Sequence, residues 1–194
     1  VLPLSLEALE ADFIAMPGHK GLLGPQGTGL LLCDANTKPL MYGGTGSASI
    51  RQEMPEDLPE RLEAGTVNVP GFAGLTEGLR YLERTGIHRV HQREHRQLER
   101  CVDGLNRLGI RTFSGPHQAA TVSFLPEMDC EEAAQILAER GIAVRAGLHC
   151  APYAHESAGT LQTGTVRVSF GYDASDAQTE AFLREVSKLP RKRK

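Results

Sequence analysis

The sequence has no CxxC pair, no apolar run long enough to span a bilayer, no internal repeat and no low-complexity segment. Each absence removes a class of protein. Its four cysteines, Cys33, Cys101, Cys130 and Cys150, lie far apart. That spacing argues against a zinc site or a disulfide framework and suits a reducing, cytoplasmic setting. Without a spanning run there is no reason to expect a membrane partner. No secretory pattern of a basic stretch followed by an apolar one stands at the start. A formal net charge of -3 gives no reason to expect a nucleic-acid partner. The one basic run, Arg191-Lys192-Arg193-Lys194, follows Pro190 and reads as a solvated end.

What is present is an ordinary globular composition, 40% hydrophobic and 23% charged, over 194 residues. That is enough for one large or two small domains. The pattern predicts a short helix over 6–11 and a short strand over Asp12–Ala15. Leu30–Cys33 is a continuous apolar run that suits a buried strand. Residues 39–70 are rich in glycine and proline without a period, a candidate functional loop. From Phe72 a helical period sets in, kept by Leu75, Leu79 and Leu82. After a break at Thr85-Gly86 it resumes through Val90, Leu98, Cys101, Leu105 and Leu108 to a stop at Gly109. Strands are expected at Ile110–Phe113, Ala120–Leu125, Ile142–Arg145 and around Val166, Val168 and Phe170. Helices are expected over Cys130–Arg140 and Ser175–Leu189. The second half is an α+β unit, and a domain boundary is expected near residues 85–95.

Two constellations carry chemistry. The first is Gly18-His19-Lys20, followed by Gly24-Pro25-Gln26-Gly27-Thr28-Gly29. A lysine between an apolar strand and a glycine-rich return loop can be held partly dry. That favours the neutral amine needed to condense with an aldehyde. For a lone lysine in a glycine loop, a surface turn is the commoner reading. The second is Arg145-Ala146-Gly147-Leu148-His149-Cys150-Ala151-Pro152. Here Arg145 and His149 stand near a thiol that cations would activate, and Gly147 and Pro152 bracket a shaped loop. An isolated cysteine is more often a small buried apolar residue. Arg167 sits in the alternating strand Thr165-Val166-Arg167-Val168-Ser169, opposite in direction to the two valines. It serves either a solvated sheet face or a carboxylate. His91 and His95, four apart on a helix, lack a third metal ligand and read as a solvated face, so no metal is expected. His117 needs no role. His155 lies near the cysteine loop without an assignment.

The full strings resemble the class V aminotransferases and cysteine desulfurases. Their lysine segment carries a His-Lys pair followed by Gly-Pro-x-Gly-x-Gly. Their second group carries a short Arg-x-Gly-x-His-Cys-Ala loop. Gly43-Gly44-Thr45-Gly46, Glu63-Ala64-Gly65-Thr66-Val67-Asn68 and Gly164-Thr165-Val166-Arg167 match further family segments, in family order, from about Val1 to Leu189. The resemblance implies an α/β protein of the fold type I pyridoxal 5'-phosphate (PLP) enzymes. Residues 1–88 would be the C-terminal part of the large PLP-binding domain, and 89–194 the small C-terminal α+β domain. It implies that Lys20 forms the internal aldimine with PLP and then moves protons at the substrate Cα and the cofactor C4′. His19 would contact the phosphate or the ring, and Thr66 the phosphate across a homodimer interface. Cys150 would take sulfur from L-cysteine as a persulfide, leaving L-alanine. Arg167 would hold the substrate carboxylate, with Arg145 and His149 assisting. Cys33, Cys101 and Cys130 would be structural.

A sulfur-acceptor protein, as in iron–sulfur cluster assembly, is the implied partner. Selenocysteine lyase and other class V aminotransferases are close variants, and a non-catalytic fragment that packs against a partner is the other reading. Relatives also carry a long N-terminal part with a phosphate-binding turn, a ring-stacking His and an Asp for the pyridine nitrogen. The sequence is expected to start just after that Asp segment. Asp173-Ala174-Ser175 replaces an Asn-Thr pair frequent in relatives, and a cap by Asp173 or Ser175 is expected to compensate.

Overall fold

The computed structural model describes residues 1–34, 36–47 and 50–191. They form two compact units, Leu2–Ile87 and His88–Lys194, the latter including Val1. Of the basic tail, Lys192, Arg193 and Lys194 lie outside the described residues, while Arg191 donates to the carbonyl of Leu108. Among the described residues no helix is long and apolar enough to cross a membrane.

The first unit opens with α1 (Leu6–Leu9), capped by the hydroxyl of Ser5. An antiparallel ribbon of β1 (Phe13–Pro17) and β2 (Gly29–Cys33) follows, with Ala15 opposite Leu31. Side chains alternate across such a ribbon. Ile14, Met16, Leu30 and Leu32 share the better-covered face, where Leu32 is still 40% exposed, while Phe13, Ala15, Leu31 and Cys33 share the outward one. The expectation of a buried strand at Leu30–Cys33 is therefore corrected: Leu31 is 51% exposed and Leu32 40%. A continuous apolar run needs cover on both faces, and a two-stranded ribbon in this unit has it on one at most. Among the described residues no helix or strand lies between Cys33 and α2 (Val69–Thr85). Asn68 caps α2 by accepting from Gly71 N–H, and Pro70 occupies the first turn, where it displaces no hydrogen bond.

The second unit packs helices on one face of an antiparallel sheet. The helices are α3 (Ile87–Arg107), α4 (Cys130–Glu139) and α6 (Asp176–Val186). The strands are β3 (Arg111–Phe113), β4 (Thr121–Leu125), β5 (Arg145–Gly147) and β6 (Thr165–Ser169), in the order β3-β4-β6-β5. A short helix, α5 (Pro152–Ser157), precedes β6. Val122, Phe124, Val166 and Val168 meet Leu98, Cys101 and Leu105 of α3, Ala133 and Leu137 of α4, and Phe182 and Val186 of α6. Phe124 and Phe182 meet edge to face. The expected strand at Ile142–Arg145 begins only at Arg145. The preceding three residues serve as the exit from α4, where Gly141 is left-handed and Ile142 N–H returns to the Leu137 carbonyl. Ser175 caps α6 in a reciprocal capping box with Gln178, so the changed turn at residues 173–175 retains its helix start.

Hydropathy does not show that α3 buries a glutamine. Gln97, 3% exposed, donates to Asp176 at 2.8 Å and accepts from the buried Thr179 hydroxyl at 2.7 Å. It thereby ties α3 to the first turns of α6. Replacing it with Met keeps volume but removes both bonds, leaving the buried Thr179 hydroxyl only its longer 3.3 Å bond to the Ser175 carbonyl. Gln97→Met is expected to lower the unfolding free energy by about 2 kcal/mol, read from urea melts.

Candidate active site

The lysine loop is built by glycines of α2. Gly71, Gly74 and Gly78 lie three and four residues apart, on one side of the helix. A Cβ on Gly78 would stand 2.5 Å from the Leu22 carbonyl oxygen, and one on Gly74 would stand 3.2 Å from the Pro25 ring. Backbone of residues 22–25 thus lies directly on the helix. The loop closes on itself through Gly18 N–H to Thr28 O at 2.8 Å and Gly24 N–H to Gly18 O at 2.7 Å. A side chain at Gly18 would overlap Thr28. His19 and Lys20 stand out from this closed loop and are exposed, and Lys20 has no ion pair among the described residues. The dry setting expected for Lys20 is therefore not made by the residues around it in this unit. A loop supported on one side by a helix leaves its tip to solvent.

Two other segments singled out in the sequence meet in the same unit. Gly65 N–H donates to the Gly44 carbonyl at 2.7 Å, joining the Gly43–Gly46 stretch to Gly65-Thr66. Thr66 is exposed, and nothing stands within 4 Å of a Cβ built on Gly44, Gly46 or Gly65. The pair forms an open backbone rim that a phosphate or ring could approach closely.

The cysteine loop lies wholly in the second unit, on the sheet face turned away from α3, α4 and α6. Period-2 alternation puts Ser123, Arg145 and Arg167 on that face, in one row. Arg167 stands opposite Ser123 of β4 on one side and opposite Arg145 of β5 on the other. Like charges directly opposed across strands repel, and no described carboxylate pairs with either guanidinium. The Arg167 Nε is buried with no hydrogen-bond partner. A buried donor without an acceptor beside a second cation has the charge and the free N–H to take a carboxylate or other anion.

Beyond β5 the chain makes a sharp turn, closed by Ala151 N–H to Leu148 O at 2.9 Å. Both central residues, His149 (φ 52°) and Cys150 (φ 60°), are left-handed. Such turns are usually built from Asn-Gly, and a non-glycine pair stores strain of about 1 kcal/mol or more per residue. The turn projects Cys150 outward. It is the exposed one of the four cysteines, and its Sγ lies 3.6 Å from an Arg145 guanidinium nitrogen. Cys101 and Cys130 are buried, and loss of hydration pushes their thiols up, that of Cys101 to about 12. The thiolate is the reactive form, so these two are inert beside Cys150.

His149 was expected as a second cation beside the thiol. Instead its imidazole is held below the ordinary range, by burial first and then by Arg167, His155 and Arg145. At neutral pH it is uncharged, and Arg145 is left as the cation at Cys150. Its Nε2 meets the Thr165 hydroxyl at 3.0 Å. His155, unassigned from sequence, is the buried residue of α5 and bonds Thr160 through Nδ1 at 2.8 Å. The turn residues Gly147 and Pro152 signal this region in the sequence, but no pattern marks α5, Thr160 or Thr165 as its supports. His91 and His95 stack on α3, His91 bonding the Val1 carbonyl; among the described residues no group of three or more metal-ligating side chains converges.

Known proteins resemble this chain in sequence and fold. A probable cysteine desulfurase of Methanothermobacter thermautotrophicus is 37% identical over 182 residues, covering 88% of this chain and 46% of its own length. A cysteine desulfurase of Synechococcus elongatus is 34% identical, covering 97% of this chain and 31% of its own. The solved apo structure of a cysteine desulfurase from Thermococcus onnurineus superposes with a TM-score of 0.83 at 34% identity. It covers 94% of this chain and 48% of that one. The chain thus spans about half the length of relatives it matches. The aminotransferase class-V family model matches residues 2–182, and the chain belongs to that family.

Proposed function

We propose that the protein carrying this chain is a PLP-dependent cysteine desulfurase, in which L-cysteine and the Cys150 thiol yield L-alanine and a Cys150 persulfide. The observation that carries the reading is the exposed Cys150, held on a strained turn against Arg145 and one strand from the unpaired Arg167. The residues fit the cofactor. Lys20 offers an accessible amine, His19 stands next to it, and Thr66 sits on an open glycine rim suited to a phosphate. PLP, when bound, supplies the electron sink that lets substrate bonds at Cα be broken.

The chain's own groups divide the remaining work. The Lys20 amine holds the cofactor and carries protons at the substrate Cα. The Arg167 fork takes the α-carboxylate, which satisfies its buried Nε and screens it from Arg145. The Arg145 guanidinium, 3.6 Å from the Cys150 Sγ, is placed to hydrogen-bond the sulfur as it reacts. The thiolate attacks the substrate sulfur, the C–S bond breaks, and the substrate carbon is protonated to alanine. In this reading residues 1–88 close the PLP-binding domain and 89–194 form the small C-terminal domain. The enzyme is a cytoplasmic homodimer that passes its sulfur to an acceptor protein. Aminotransferase chemistry alone gives no use for Cys150.

The test uses the full protein with PLP and L-cysteine. Alanine release is expected with one added sulfur on the peptide containing Cys150, together with a visible PLP absorbance that Lys20→Ala removes. Sulfur mapping to Cys33, Cys101 or Cys130 instead would discard the assignment.

A further inference from the structure

On the sheet face that carries Arg145 and Arg167, one end is roofed by α5. Beneath it lies a cavity of about 120 Å³ lined by Phe113, Ser123, Ala154, His155, Thr160 and Thr165. A histidine in such a setting needs its polar atoms satisfied. His155 is 6% exposed, and the structure gives it a fixed partner. Its Nδ1 meets the Thr160 hydroxyl at 2.8 Å, and its carbonyl accepts Thr160 N–H at 2.8 Å. Thr160 is 1% exposed, so this clamp is dry. The His155 ring lies 5.6 Å from that of His149, tilted by 48°. His149 is held from its other side by Thr165, itself 2% exposed, while its Nδ1 is buried without a partner. The ring of His149 is thus fixed by contact with His155 and one hydroxyl, and it occupies the first left-handed position of the turn that carries Cys150.

We propose that His155 is a positioning residue: clamped by Thr160, it pins the His149 ring against Thr165 and so keeps the His149-Cys150 turn in its left-handed form, with the thiol directed outward. The proposal rests on the reading of Cys150 as the nucleophile. The strain of two consecutive left-handed non-glycine residues is tolerated only where surroundings over-determine it. The buried His155–Thr160 contact and the part-buried His149–Thr165 contact supply that constraint. The groups facing His149 are Arg167 from β6, Arg145 from β5, His155 from α5 and the adjoining Cys150. Unclamping His155 admits water to the ring, and relief from burial moves the His149 titration upward.

In the full protein, His149 is followed by NMR titration and desulfuration by steady-state kinetics. In His155→Leu and Thr160→Val the His149 titration is expected to rise toward the ordinary imidazole range. In both, kcat is expected to fall about tenfold or more, with KM for cysteine held within about twofold, because displacement of a reacting atom costs rate rather than affinity. Thr160→Ser retains the hydroxyl and is expected to keep the low titration. If His155→Leu does not fold, the two Thr160 variants decide alone. Unchanged titration in Thr160→Val, or wild-type kcat alongside a shifted titration, overturns the proposal. A wild-type protein that never desulfurates cysteine removes the nucleophile reading instead, and the titration arm remains interpretable.

Discussion

Cys150→Ala is expected to reduce desulfuration of L-cysteine by about 10³-fold or more, since removing a covalent nucleophile removes the pathway and not just one contact. The stability change should be small and of either sign. The side chain is exposed, so little burial is lost. The left-handed turn is strained for alanine as it is for cysteine, so backbone strain is common to both. The visible absorbance of bound PLP should persist, because the Lys20 loop belongs to the other compact unit. This split between lost turnover and retained cofactor separates nucleophile loss from misfolding. Desulfuration that survives in Cys150→Ala would refute the assignment outright.

Gly78→Ala is expected to destabilise the protein by about 1 kcal/mol net, against the sign that helix propensity alone dictates. In a helix interior, alanine gains about 1 kcal/mol over glycine. Here the new Cβ would lie 2.5 Å from the Leu22 carbonyl oxygen and 2.8 Å from the Leu23 carbonyl carbon and oxygen. Those atoms are backbone and cannot swing aside as a side chain would, and overpacking of this kind costs about 1–3 kcal/mol. The relief available is to push residues 22–23 away from the helix, which moves Lys20 two positions upstream. Urea melts should show the lower stability, and PLP titration should show weakened binding. Gly74→Ala is the control on the same face. Its Cβ meets the Pro25 ring at 3.2 Å, a contact that a few tenths of an ångström relieve, so its effect should lie near zero. A Gly78→Ala protein that is more stable and binds PLP normally would show that the loop does not depend on the helix face.

Much of the fold is legible along the chain because local patterns dictate it. The 3.6-residue period of Leu98, Cys101 and Leu105, the stops at Gly109 and Gly141, and the alternation of Val166 and Val168 each follow from interactions within a few residues. Ser175 with Gln178 announces α6 in the same way. The lysine and cysteine strings are legible too, because their chemistry needs particular residue types close together. Burial is not local, so Leu31 and Leu32 read as core yet stand exposed. The strand expected at Ile142 starts three residues later because the exit from α4 takes up the intervening backbone.

By itself, then, the order of residues determined the family and most of the element types, and it singled out one lysine, one cysteine and two arginines for the proposed roles. Tertiary structure alone decided that Arg145 and Arg167 stand opposite one another, that burial lowers the His149 titration, that Cys150 occupies a left-handed turn, that the His155 ring lies beside that of His149, and that the α2 glycines seat the lysine loop. The reason is that register, desolvation and backbone clash depend on atoms brought together from distant positions. A one-dimensional pattern carries the identity of those atoms but not their separation.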